Sequence, residues 1–138
     1  MMKKVYIALI GIILITLAVS AGRLLTKEPL GPVISVSPLK NNIGTVIYGD
    51  VARYSLKVKN IGDQNLVIQK LSTSCGCTKA QINEADKIIA PGQEKEIAVS
   101  FDPAVHKDDT DTGEIVRVIY INSNDPKNPE VQSELNAF

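Results

Sequence analysis

From Pro32 onward, apolar and polar residues alternate with a period of two. In VARYSLKVKN, Ala52, Tyr54, Leu56 and Val58 share one phase, and Arg53, Ser55, Lys57 and Lys59 share the other. That alternation marks a strand with one face buried. EKEIAVSF repeats it, with Ile97, Val99 and Phe101 inward and Glu94, Glu96, Ala98 and Ser100 outward. VISVS, LVIQKLSTS and EVQSELNAF read as further strands. EIVRVIYIN is apolar on both phases and predicts a central strand covered on both sides. The intervening NIGDQN and NSNDPKNP carry turn chemistry, and APGQ is a tight turn centred on Pro91 and Gly92. No helical stripe interrupts the series. About seven short strands separated by turns predict an all-β, antiparallel sandwich in which each strand buries one face against the opposite sheet. Tyr54, Leu56, Val58, Ile97, Val99 and Phe101 are expected in its core.

The N-terminus follows a different rule. MMKK is succeeded by the uncharged run VYIALIGIILITLAV, the way an export signal begins. As a helix, residues 5–22 would reach about 27 Å, just under the hydrocarbon thickness of about 30 Å. Ala18 and Ser20 stand at the interval required for cleavage before Ala21. Residues 1–22 are therefore expected to be a signal anchor in the inner membrane, or a signal peptide if cleaved. Residues 23–32 are expected to be a linker, since AGRLLTKEPLGP mixes Gly, Pro and charge without periodicity. Residues 33–138 form the sandwich domain. No cysteine follows the apolar run, which excludes lipid attachment of the bacterial lipoprotein kind. Lys3 and Lys4 hold the N-terminus in the cytoplasm, so the domain is expected to be extracytoplasmic, in the periplasm or at the cell surface. The chain stops at Phe138, soon after the last strand, and no second module is expected.

Composition narrows the function. The 138 residues carry 15 basic and 15 acidic side chains, with no basic run and no basic patch interleaved with aromatics. Nucleic acid is thereby excluded as a partner. With no Trp, the core has to be built largely from Val, Ile and Leu, which again favours strands.

The order Gly44, Gly49, Tyr54, KNIG (Lys59 to Gly62), LVI (Leu66 to Ile68), SCGCT (Ser74 to Thr78), IAPG (Ile89 to Gly92), VSFDP (Val99 to Pro103) and NSNDP (Asn122 to Pro126) resembles the bacterial family known as domain of unknown function 1573. The resemblance runs from Val33 to about Leu135. It implies an immunoglobulin-like sandwich related to the domains of major sperm protein and Hydin, export in bacteria, and no established activity. The loop AVHKDDTDT, Ala104 to Thr112, is longer than the resemblance implies.

SCGCT holds both cysteines, Cys75 and Cys77, separated by Gly76. In a straight strand, residues two apart share a face with Cα atoms about 6.6 Å apart, near the limit of about 6.8 Å for a disulfide. Gly76 relieves this if it takes positive φ and kinks the chain, and a β-branched residue there is then expected to be poorly tolerated. Export to an oxidising space favours the bond. Closing so small a loop contributes on the order of 1.5 kcal/mol, so the bond is no major staple. Three readings stay open: a structural pair, a redox disulfide, or two thiolates holding a soft ion such as Cu(I). Zinc would need more ligands, and the one histidine, His106, lies thirty residues away in a polar loop.

Other chemistry is not supported. DDTDTGE, Asp108 to Glu114, has the composition of a calcium loop, but Thr110 and Thr112 fall where carboxylates or amides belong. Ser72, Ser74 and Ser123 sit in no nucleophile motif, and no glycine-rich phosphate loop occurs. The expectation is an exported binding or structural module of the cell envelope, without catalysis or cofactor. Its expected partner is another envelope protein, met through sheet edges or end loops. The alternative is a thiol redox or Cu(I)-handling protein using Cys75 and Cys77.

Overall fold

The structure, a computed structural model, describes residues 31–107 and 112–138. The expected anchor, most of the linker and Asp108–Asp111 of the acidic loop lie outside the described residues. Among the described residues no helix is long and apolar enough to cross a membrane.

Nine strands are present among the described residues: β1 (Ile34–Ser37), β2 (Lys40–Asn42), β3 (Ala52–Asn60), β4 (Leu66–Thr73), β5 (Thr78–Gln81), β6 (Ile88–Ile89), β7 (Glu94–Phe101), β8 (Ile115–Ser123) and β9 (Glu130–Ala137). One short 3₁₀ turn, Glu84–Asp86, precedes β6. They form two sheets, ordered β1-β3-β7-β5 and β2-β9-β8-β4-β6. The protein is all-β, as its alternation implied. Strand number and direction differ from expectation. After the cis Ser37–Pro38 peptide the chain leaves the first sheet, and β2 joins the edge of the second beside β9 in parallel. Every other pairing is antiparallel.

The two longest alternating segments meet in the predicted phase: Leu56 pairs with Ile97, Tyr54 with Val99 and Ala52 with Phe101. Leu56, Val58, Ile97, Val99 and Phe101 are buried in a core completed by Leu66, Ile68, Ile89, Ile119, Ile121 and Leu135. Tyr54 is only half-buried. Its hydroxyl has no hydrogen-bond partner, and burial pushes its pKa up to about 12. β8 is central, as expected, but only its inner face is fully buried; on the outer phase Val118, Tyr120 and Asn122 are half-buried. Ile115, Ile119 and Ile121 point inward, while Val116 on the outer face is 56% exposed. Leu56→Ala is expected to lower stability by about 2 to 4 kcal/mol, because it empties a fully enclosed site. Lys57→Ala, on the solvent phase, is expected to change it by less than about 0.5 kcal/mol. Chemical denaturation of both variants checks the assignment of faces.

Three sequence motifs tie the two layers together. Asn60, completely buried, donates to the carbonyls of Gln64 (2.7 Å) and Ile89 (2.8 Å) and accepts from the Gly62 amide (3.0 Å). Asp125 accepts from the amides of Ile34 (3.0 Å), Lys127 (2.8 Å) and Asn128 (3.1 Å). It thereby fastens the start of β1 to the β8–β9 turn. Pro91 and Gly92 form the expected turn, closed by the Gln93 amide on the Ala90 carbonyl at 3.0 Å, with Gly92 at φ 77° as a type II turn demands.

Candidate functional site: the disulfide end of the sandwich

Ser74 to Cys77 carry the chain from β4 in one sheet to β5 in the other. Both sheets hold this crossover. The Ser74 amide donates to the Val118 carbonyl, and the Val118 amide donates to Ser74 Oγ, each at 2.9 Å. From the opposite sheet side, the Asp102 amide donates to the Cys77 carbonyl at 2.8 Å. Thr73 Oγ1 lies 2.9 Å from the carbonyl oxygens of both Cys75 and Thr78.

Cys75 and Cys77 are joined in a disulfide, with Cα atoms 5.3 Å apart. The cause of their approach is not the one expected. Gly76 is not among the glycines at positive φ. The shortening comes from a turn in which the Thr78 amide bonds back to the Cys75 carbonyl at 3.4 Å, with Gly76 and Cys77 at its centre. A side chain at Gly76 is therefore compatible with the bond. A Cβ built there would approach only His106 Nε2, at 3.8 Å. Gly76→Ala is expected to stay within about 1 kcal/mol of the parent and keep the disulfide, as thermal unfolding and a thiol count would show.

The two sulfurs occupy unequal surroundings. Cys77 is 2% exposed, whereas Cys75 is half-buried at the rim of the core. Arg117 reaches inward from β8 and its Nε donates to Cys77 Sγ at 3.2 Å. Thr78 Oγ1 lies 3.6 Å from Cys75 Sγ and 3.8 Å from Cys77 Sγ. Oxidised sulfurs carry no proton, so the hydroxyl is the donor in these contacts. Arg117 was not singled out in the sequence. Its signal was there, as the one charged residue within IVRVIYIN, residues 115–122.

His106, thirty residues distant in sequence, also comes to this end. The separation along the chain was misleading, because the segment after β7 folds back over the turn. Even so, among the described residues no group of three or more His, Cys, Asp or Glu side chains is placed to hold a metal ion. Both sulfurs are engaged in the disulfide, so Cu(I) would require its prior reduction.

Two concavities flank the turn. A cleft of about 200 Å³ is lined by Arg53, Gly76, Cys77, Lys79, Asp102 and Val105. A mainly apolar groove of about 210 Å³ is lined by Val46, Tyr48, Phe101, Pro103, Ile115 and Phe138. Around them Ile47 (69%), Tyr48 (51%), Val51 (37%) and Val105 (41%) stand exposed. A larger hollow of about 630 Å³ lies away from the turn. It is open and lined by Ser55, Gln69, Lys70, Glu84, Lys87 and Glu96, with no Cys or His.

Among known structures, the chain is similar to a protein of unknown function from Porphyromonas gingivalis, at 21% identity and TM-score 0.69, over 82% of this chain and 49% of that one. It is similar to the VesB protease of Vibrio cholerae, at 14% identity and TM-score 0.59, over 75% of this chain and 31% of that one. It is also similar to the ASH / PapD-like domain 7 of human CEP192, at 10% identity and TM-score 0.56, over 82% of this chain and 89% of that one. The chain thus spans about half of the first protein and about a third of the protease. At such identities the likeness is one of fold. No curated protein matches the chain. The family model described as Protein of unknown function (DUF1573) matches residues 34–135, and the chain belongs to this family.

Proposed function

We propose that the chain is an exported immunoglobulin-like binding module of the bacterial cell envelope, acting by contact and not by catalysis. Residues 1–22 export the domain and, left uncleaved, hold it at the inner membrane. Residues 23–32 are the tether and 33–138 the module. The basic start and the uncharged run behind it support export. One observation carries the binding reading: Ile47 and Tyr48 are exposed beside an apolar groove, which Tyr48 and the exposed Phe138 line. Exposed apolar side chains gathered on one surface mark contact sites, whereas scattered ones do not. The edge strands β1, β2, β5 and β6 hold 4, 3, 4 and 2 residues, which offers little ladder for strand addition. The partner is another envelope protein that presents an apolar surface.

A photo-crosslinking amino acid at Ile47 or Tyr48 in living cells is expected to capture a discrete envelope protein, and one at Ile61 to capture none. Capture from Ile61 but not from Ile47 or Tyr48 would reject the assignment. Protease added to spheroplasts is expected to digest the domain without lysis. Survival of the domain until lysis would reject export.

A further inference from the structure

The disulfide has a built-in polarity. Cys75 is the more exposed of the two cysteines, half-buried at the rim of the core. Cys77 Sγ is enclosed, and it alone receives the Arg117 Nε–H, at 3.2 Å. Among the described residues, the cleft lined by Cys77 also holds Arg53, Lys79 and Asp102. A thiolate at Cys77 is stabilised by the Arg117 guanidinium that contacts it, and a sulfur stabilised as thiolate is the better leaving group in thiol–disulfide exchange. None of these features contributes to the apolar groove offered to a protein partner.

We propose that Cys75–Cys77 is a thiol-exchange site that accepts two electrons from a dithiol, with Cys75 as the attacked sulfur, Cys77 as the leaving thiolate and Arg117 as its positioning residue. One thiolate of the dithiol attacks Cys75 Sγ. A mixed disulfide forms, the Cys75–Cys77 bond breaks, and its electron pair goes to Cys77 Sγ, which Arg117 and the Thr78 hydroxyl receive. The second thiolate of the dithiol then attacks its own partner sulfur in the mixed disulfide and expels Cys75 as a thiolate. The dithiol leaves as a disulfide, having lost two electrons and released two protons to solvent. The chain retains two reduced sulfurs, so the reaction is stoichiometric.

The test uses the full-length chain, purified in detergent, with dithiothreitol as the dithiol and free thiols counted by alkylation and intact mass. The folded parent is expected to be reduced without denaturant. Arg117→Gln is expected to be reduced about tenfold more slowly, and Arg117→Lys to recover most of the rate. With a monothiol such as 2-mercaptoethanol, quenched early and mapped by peptide mass, the adduct on the parent is expected at Cys75. An adduct chiefly at Cys77, an unchanged rate in Arg117→Gln, or reduction only after unfolding would each overturn the proposal. The adduct map is read on the parent protein, so it decides the matter even if an Arg117 variant fails to fold.

Discussion

Replacing Asp125 with alanine is expected to lower the unfolding free energy by about 2 to 4 kcal/mol, among the larger effects of any single change in this domain. The carboxylate is 1% exposed and accepts from three backbone amides, those of Ile34, Lys127 and Asn128. Removing it leaves the Ile34 amide without a partner inside the sandwich and frees the turn that starts β9. Acid should reproduce part of the loss. Burial pushes the Asp125 pKa up, but the amides of Ile34, Asn128 and Lys127 favour the ionised form more, and the net direction is below the ordinary 3.8. A carboxylate held low stabilises the fold fully above its unfolded pKa, and that contribution disappears as pH falls through the folded value. Stability of the parent should therefore drop below about pH 4, and Asp125→Ala should show a shallower drop. Asp86, held low chiefly by its hydrogen bond from Lys95, titrates in the same window. The informative quantity is accordingly the difference between parent and variant in urea titrations at several pH values.

Gly62→Ala is expected to cost about 3 kcal/mol for a different reason. A Cβ at this position would overlap the Gly31 carbonyl oxygen and stand 2.6 Å from the Val33 amide nitrogen. Both obstacles are backbone, so no side-chain rotation relieves them. The Ile61 amide donates to Val33 at 2.9 Å and the Asp63 amide to Gly31 at 3.0 Å, which presses the two segments together. The added methyl has to break these bonds and lift the entry to β1 away from the sandwich. A calorimetric melt within about 1 kcal/mol of the parent would show that the 31–33 segment yields without cost.

How much of this could be read in advance depends on element length. β3 and β7 announce themselves because eight or more alternating residues leave one consistent phase. β2, β5 and β6, of three, four and two residues, are too short to carry any period, and their existence is decided by neighbours remote in sequence. β8 misled for a related reason. Val116 and Val118 extend the apolar pattern to its outer phase, and periodicity does not reveal whether anything covers them. NIGDQN, APGQ and NSNDPKNP were visible as turns, but the tertiary work done there, such as Asn60 bridging to Ile89, follows only from the assembled sheets. At the candidate site the cysteine pair was evident and its bonding feasible, whereas Gly76 received the wrong conformation. The Arg117–Cys77 contact joins residues forty apart through two different sheets, and no local pattern encodes such a meeting.

The parallel pairing of β2 with β9 also sets the order in which the domain can assemble. Residues 40–46 find their backbone partners at the far end of the sequence: Lys40 beside Glu134, the Ile43 amide on Asn136, the Val46 amide on Phe138. While the chain is still emerging, from a ribosome or a translocation channel, that early segment has nothing to bond with. β8 likewise presents an open edge until β9 arrives to separate it from β2. Contacts this distant carry a large loop-closure cost before they are rewarded, which slows folding and favours completion in one late step. A nascent chain arrested before β9 should remain protease-sensitive throughout its second sheet, and protection should appear abruptly once residues 130–138 are free.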